Sequence, residues 1–298
     1  LGGAAQRQRV IHFVALPLLV ALATALLGGR ALDRLAPTSA TRLNAVLLIA
    51  VLVAAVPTFW ILAFGGLAHL GVRSSLADWS VHLFPHQPIL SAAIGATAVL
   101  LAVVGIARIV AVLVTHQRVR CTERCSYRIV ETPEVFAYTL PGPGGTIAIS
   151  RGLRQSLADA ELVLVVAHER SHARHRHDRF LLLALLVDAA VPVMKPATNQ
   201  LRFHLERWAD EEAVRDTSAD RRTAARTIAK VALANSPVPA GLGIATHGVA
   251  ARASALLDPP TAPTRIRRAA IGITVAVTVA LSFVQTHHTV EFTLHALV

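Results

Sequence analysis

Four runs of apolar residues dominate the chain. Each is free of charged side chains, apart from Arg108 near the end of the third, and each reaches the length of about 20 residues at which a helix spans a bilayer. We place these membrane helices at residues 10–29, 43–67, 89–114 and 269–290. The first run exceeds the roughly 7 to 15 apolar residues of a secretory signal peptide, so we expect it to be a membrane helix as well.

The composition fits a membrane protein. Hydrophobic residues make up 54% of the chain and charged residues 16%, below the roughly 25% of a typical soluble domain, which argues against a plain soluble enzyme and against disorder. The net charge is +11, and arginines are densest in the first loop and in the segment 115–268. Because such residues concentrate on the cytoplasmic side, we predict a protein of the cell membrane with segment 115–268 in the cytoplasm and both termini outside.

The basic run from Arg118 to Arg128 follows directly after a predicted membrane helix, so we expect it to contact anionic membrane lipids. A basic nucleic-acid binder would need clustered aromatic residues, and only 5% of the chain is aromatic, so the sequence disfavours nucleic acid as a partner.

The segment between the third and fourth membrane helices has a different pattern. Alternation predicts short strands at 126–130, 135–140 and 146–150, and helical periodicity predicts three helices, one through residue 168 and beyond, one at about 199–216 and one at 221–234. We therefore predict an α+β domain at 115–236. Residues 237–268, rich in Pro, Gly and Ala in their first part, predict a linker, and residues 291–298 a short extracellular tail.

The predicted chemistry begins with His168-Glu169-Arg170-Ser171-His172, an HExxH motif. On a helix the two histidines lie on one face and can bind one Zn²⁺ ion, with Glu169 beside them as general base. Three protein ligands would leave a fourth position for water, whose proton the glutamate would accept.

A third ligand is expected on the helix at about 199–216. Glu206 and Asp210 are one turn apart and face the same way, so Glu206 can bind zinc while Asp210 holds a ligand histidine through its second ring nitrogen. Glu211 and Glu212 are the rival ligands. We expect them on the solvent face, because they point about 100° and 200° away from Asp210.

His175 is a candidate to support the site. It follows His172 by three residues, and we expect His175 and His177 to extend the same helix. His175 would then support a ligand or transfer a proton, and the alternative is a solvated, basic helix end.

The strand shortly before the HExxH helix is a candidate for substrate binding. It follows a loop of Gly and Pro that could leave it at a sheet edge, where an extended substrate adds by main-chain hydrogen bonds. The alternative is an inner strand with both edges paired. The predicted edge consists of Thr146, Ile147, Ala148, Ile149 and Ser150.

The stretch 144–174 and the pair Glu206-x-x-x-Asp210 resemble the BlaR/MecR antirepressor family of integral-membrane zinc metallopeptidases. The layout of three membrane helices, a zinc domain and a fourth helix is also similar, although only the two zinc motifs are specific. The resemblance implies a mainly α membrane protein with four transmembrane helices and a cytoplasmic α+β zincin-like (gluzincin) domain between the third and fourth. It implies His168, His172 and Glu206 as zinc ligands, Glu169 as general base and Asp210 as support.

The resemblance implies a signalling endopeptidase whose protein substrate is a cytosolic transcriptional repressor, the peptidase itself or another membrane-associated protein. Sensor members carry an extracellular penicillin-binding domain after the last helix, whereas eight residues follow Val290 here. We therefore do not expect a direct β-lactam receptor. Three alternatives stay open: the protease is constitutive, it is governed by another membrane protein, or it is triggered by its own membrane segment. The alternatives are an HtpX-type quality-control protease, which shares both motifs, and a non-catalytic receptor or scaffold in which zinc ties two helices together and Glu169 is not needed.

Overall fold

The structure, a computed structural model, describes residues 2–68, 88–119, 127–142, 145–234 and 244–297. Most of these residues form helices. The helices are α1 (Gly2–Leu32), α2 (Pro37–Ala68), α3 (Pro88–Val119), α4 (Arg151–Ser156), α5 (Asp159–Arg174), α6 (His177–Ala190), α7 (Lys195–Thr217), α8 (Arg221–Ala234), α9 (Ile244–Leu257) and α10 (Arg265–Leu297). A short 3₁₀ helix, Pro192–Met194, joins α6 to α7.

Three of these helices are long and apolar enough to cross a membrane. The segments are Pro37–Phe64, Ala92–Val119 and Arg265–His287, and they coincide with the second, third and fourth predicted spans. The first predicted span lies in α1, whose described side chains form the shorter apolar run Leu16–Gly29. The side chains before Leu16 lie outside the described residues, so the fourth membrane helix remains a prediction.

The long apolar helices pack directly against the predicted zinc domain. Helices α1, α2 and α10 contact one another, and α2 also contacts α6 and α7. Leu47, Leu48 and Val51 of α2 share a buried core with Leu201 and Leu205 of α7. Each large buried side chain of this kind contributes about 1.5–3 kcal/mol, so α7 is held firmly against α2.

Polar contacts reinforce this junction at the turn between α1 and α2. Arg207 of α7 donates from Nη1 to the backbone oxygen of Asp33 at 2.9 Å, and Gln200 donates to the Asp33 carboxylate. The Arg42 guanidinium of α2 lies 5.8 Å from the ring centre of Trp208. The helix that carries Glu206 is therefore fixed at both its apolar and its polar face.

The three predicted strands form one sheet, β1 (Tyr127–Val130), β2 (Ala137–Leu140) and β3 (Thr146–Ser150), in the order β1-β3-β2. Strand β3 pairs in parallel with β1 and antiparallel with β2, and all five of its residues are buried.

The prediction that β3 is the edge is therefore wrong, and the alternative of an inner strand is correct. The predicted edge residues Thr146, Ile147, Ala148, Ile149 and Ser150 all have strand partners. Alternation within one short strand cannot reveal this, because its position depends on where the distant strand β1 pairs.

The segment predicted as a linker contains a helix. Residues 244–257 form α9, which packs against α7 and α8. The segment is rich in alanine, the best helix former, and it ends before the pair Pro259-Pro260, which cannot continue a helix. At the other end of this region α10 begins at Arg265 and continues through the predicted tail to Leu297.

Candidate zinc site

Helix α5 presents the HExxH residues to a cleft beside the sheet. The helix runs without interruption from Asp159 to Arg174, so His168 and His172 lie one turn apart. A close approach of the β2–β3 turn to the helix depends on Gly145, whose φ is +62°. A Cβ atom on Gly145 would lie 2.6 Å from Cβ of Ala173, closer than such atoms approach, so glycine is required there.

Helix α7 brings the predicted third ligand to the two histidines. The Nε2 atoms of His168 and His172 are 3.1 Å apart, and oxygens of the Glu206 carboxylate lie 3.5 Å and 3.6 Å from them. A zinc ion bound tetrahedrally at about 2.0–2.1 Å separates its ligand atoms by roughly 3.4 Å. The two imidazoles and the carboxylate therefore fit zinc in both donor type and spacing, and they form the metal-ligand group found among the described residues.

Asp210 lies where the sequence predicts it. Its Oδ1 is 2.9 Å from Nδ1 of His168, so the carboxylate can hold the ring with Nε2 directed at the metal position. Burial lowers the pKa of His168, but hydrogen bonds and negative charge from Asp210 and Glu206 outweigh burial and raise this pKa to about 10.

Arg252 of α9 is a site residue that sequence analysis missed. Its guanidinium donates to both oxygens of Asp210, at 2.7 Å and 2.8 Å, and Nη1 lies 2.9 Å from Oε2 of Glu206. Burial raises the pKa of Glu206 and of Asp210, but the charge of Arg252 and the interactions with His168 together outweigh burial and keep both values below their usual range. No local pattern marks Arg252, because it lies 42 residues from Asp210 in a stretch of alanines.

Glu169 is buried beside the two histidines, and Thr139 of β2 holds it. Oγ1 of Thr139 lies 2.7 Å from Oε2 of Glu169 and 2.9 Å from the backbone oxygen of the same residue. The hydroxyl has one hydrogen, so it donates to one of these oxygens at a time. Strand β2 thereby fixes the position of the predicted general base.

The helix that carries the motif ends earlier than predicted. It stops at Arg174, and Arg176 takes a left-handed conformation (φ 52°) that turns the chain back. His175 therefore contacts Glu212 instead of a candidate zinc ligand, with its Nε2 2.7 Å from a carboxylate oxygen of Glu212. His177, which begins α6, points back instead, and its Nδ1 lies 2.8 Å from Nδ1 of His172. The histidine that contacts His172 through its Nδ1 is thus His177, and not His175, which the sequence suggested.

The prediction that Glu212 lies on the solvent face is also wrong. Glu212 is buried and accepts hydrogen bonds from Ser171 and Arg174, each at 2.6 Å. Burial raises its pKa, but these hydrogen bonds and the bond with His175 outweigh burial and lower it to about 2. Glu211 pairs with Arg221 at 2.7 Å, and neither rival glutamate joins the ligand group.

A cavity of about 550 Å³ opens at the site. The ligand residues, Glu169 and Arg252 line one part of it, and strand β2 lines another. Leucine side chains of α6 and aliphatic side chains of α8 form an apolar wall. That wall includes Leu181, Leu182, Leu185, Ile228 and Val231.

Comparisons with known proteins agree with the class of site. Residues 105–195 match peptidase family M48, whose members are zinc metalloproteases. A protease HtpX homolog of Thermoplasma acidophilum is 39% identical over 62 residues, which are 21% of this chain and 20% of that protein. This chain therefore covers about a fifth of the length of that relative. No solved structure matches the chain.

The family match includes HExxH but ends before Glu206, so the third ligand depends on the geometry described above. The match supports a membrane zinc metalloprotease, as predicted, whereas it does not distinguish the BlaR/MecR subfamily from others.

Proposed function

We propose that this protein is an integral-membrane zinc endopeptidase that cleaves cytosolic or membrane-associated proteins. The observation that carries the proposal is the meeting of two histidine nitrogens and one carboxylate at zinc spacing, with Glu169 at the same end of an accessible cavity. A purely structural zinc site, as in the scaffold alternative, needs neither Glu169 nor the Thr139 that fixes it.

Each residue has a defined task in peptide hydrolysis. His168, His172 and Glu206 would hold the metal, and bound zinc would supply Lewis acidity toward water and the peptide carbonyl. Glu169 accepts the proton of the attacking water and then gives it to the leaving amine. Asp210 orients His168, and Arg252 compensates the negative charge of Asp210 and Glu206.

We propose strand β2 in place of β3 as the strand that aligns the substrate. Strand β2 is an edge of the sheet as far as the structure describes the chain, and it lines the cavity through Ala137–Leu140. An extended peptide can add to such an edge through main-chain hydrogen bonds. A substrate peptide methylated at alternate backbone nitrogens should then bind more weakly, and unchanged binding would argue against strand addition.

The cellular role has two candidates. The match to family M48 and to a protease HtpX homolog supports a protease that removes damaged membrane proteins. The predicted order of three membrane helices, zinc domain and fourth helix supports a BlaR/MecR-type signalling protease that cleaves a repressor or itself under control of another membrane protein. Proteomics of newly formed N-termini distinguishes them, because quality control yields many cleaved membrane proteins and signalling yields one or a few cytosolic ones.

The proposed topology keeps four membrane helices and a cytoplasmic zinc domain. The density of arginine in the first loop and in 115–268 supports this orientation. A reporter that is active only outside the cytoplasm should work when fused after Val298 and fail when fused near Pro237. The opposite result would place the zinc domain outside and exclude cytosolic substrates.

Metal dependence tests the activity itself. The purified protein should cleave an unfolded polypeptide, lose this activity in a chelator and regain it with added zinc. His168→Ala and Glu206→Ala should lower the measured zinc content, whereas a change of the exposed Asp258 to Ala should leave it unchanged. Cleavage that continues in a chelator would contradict the proposal.

A further inference from the structure

The two ligand histidines are held by different kinds of group. Nδ1 of His168 faces the carboxylate of Asp210, whereas Nδ1 of His172 faces another imidazole, that of His177, at 2.8 Å. The His177 ring is fully buried and stands nearly perpendicular to the His172 ring, at 82°, with their centres 4.8 Å apart. This is the geometry of an in-plane nitrogen contact, not of stacked rings.

Zinc binding would determine which nitrogen donates. A neutral imidazole carries one ring proton, so a His172 that binds metal through Nε2 carries its proton on Nδ1. That N–H points at Nδ1 of His177, which must therefore accept, and His177 then carries its own proton on Nε2. This Nε2 is buried and has no hydrogen-bond partner among the described residues.

The surroundings of His177 hold its ring in this position. Trp208 of α7 lies against it with ring centres 4.8 Å apart, and His175 stacks on it at 5.9 Å. Trp208 is in turn covered by Arg42 of membrane helix α2. The acceptor nitrogen is thus positioned by packing, since no other polar group binds the ring among the described residues.

We propose that His177 is a positioning residue of the zinc site, which accepts the Nδ1–H of His172 and thereby fixes the ring that presents Nε2 to the metal. This inference rests on the proposed zinc site. The neutral ring of His177 would orient His172 as the carboxylate of Asp210 orients His168. Unlike a carboxylate, this ring adds no charge to the site. Partners of ligand histidines commonly contribute about 10–100-fold to metal affinity.

Two substitutions of His177 distinguish the loss of the hydrogen-bond acceptor from the loss of the packed ring. His177→Phe keeps a ring of similar size against Trp208 and removes the acceptor. His177→Asn loses the ring but keeps a carbonyl oxygen close to the position of Nδ1. His116→Phe is the matched control, because His116 lines the same cavity and is not among the residues that hold the ligands.

The measurement is zinc affinity of the full-length protein in detergent, obtained by competition with a chromophoric chelator, with folding checked by far-UV circular dichroism and the thermal unfolding midpoint. We expect His177→Phe to weaken zinc binding about 10–100-fold, His177→Asn to recover most of that loss, and His116→Phe to match the wild type. A folded His177→Phe with wild-type affinity would overturn the proposal. If His177→Phe does not fold, His177→Asn decides, since loss of zinc by a folded Asn variant would also overturn it. Failure of the wild type to bind one zinc ion would refute the proposed function instead.

Discussion

Arg252 offers a quantitative test of how the site is assembled. The residue lies on α9, outside the two zinc motifs, and its guanidinium is the partner of a carboxylate that is 3% exposed, Asp210. The substitution Arg252→Met keeps much of the side-chain volume and removes the charge and both hydrogen bonds. Asp210 would then remain buried beside the second carboxylate, Glu206, with the imidazole of His168 as its remaining partner.

The magnitude follows from the burial of the pair. The contacts between Arg252 and Asp210 measure 2.7 Å and 2.8 Å, and the Arg252 side chain is 16% exposed. Removal of one partner of such a pair costs about 3–5 kcal/mol. The contact with Glu206 adds less, because that side chain is 35% exposed and solvent screens it. For a domain of this size the loss corresponds to a fall of roughly 6–20 °C in the unfolding midpoint.

The assay is thermal unfolding of the purified protein in detergent with a chelator, so that metal does not compensate the carboxylates. The exposed Arg226 of α8 provides the control, and Arg226→Met should change stability by no more than about 0.5 kcal/mol. Arg252→Lys should fall between the wild type and Arg252→Met, since lysine keeps the charge but cannot bond both oxygens. A midpoint for Arg252→Met within about 2 °C of the wild type would refute the role of Arg252 as counter-ion.

Two further predictions concern the neighbours of the site. Thr139→Val should lower kcat about tenfold or more at unchanged zinc content, because Glu169 loses the hydrogen bond from the Thr139 hydroxyl. Thr139→Ser keeps the hydroxyl and should retain most of the wild-type kcat. Equal rates for the Val and Ser variants would contradict this. Glu212→Gln should destabilise the protein by about 3 kcal/mol at pH 7, from a pKa lowered to about 2. A carboxyl group whose pKa is lower in the folded than in the unfolded protein stabilises the fold at pH values above its unfolded pKa. The difference in stability between wild type and Glu212→Gln should therefore shrink as the pH falls from about 4.5 to about 2. A pH-independent difference would contradict this.

Local patterns predicted the centre of the site. The spacing of His168 and His172, and that of Glu206 and Asp210, needs only a helix, and both helices formed. The length of the apolar runs was likewise sufficient to predict the three candidate spans in α2, α3 and α10. These features depend on neighbours within a few residues, which a sequence displays directly.

Features that depend on distant partners were missed. Arg252 reaches Asp210 only because α9 folds back on α7, and β3 is central only because β1 pairs with it. His177 faces His172 because the backbone of Arg176 adopts a left-handed conformation, which is uncommon for residues other than glycine. Each of these is a tertiary outcome that the local periodicity does not contain.

In the proposed reaction, zinc bound by the two histidines and Glu206 would serve hydrolysis with Glu169 as base. The most direct measurement compares wild type and Glu169→Gln for zinc content and for cleavage of an unfolded polypeptide in the same preparations. Glutamine keeps the size of the side chain but cannot accept the proton of water. We predict one zinc ion per chain in both proteins and loss of cleavage in Glu169→Gln alone. Near wild-type cleavage by a zinc-loaded Glu169→Gln protein would contradict the account.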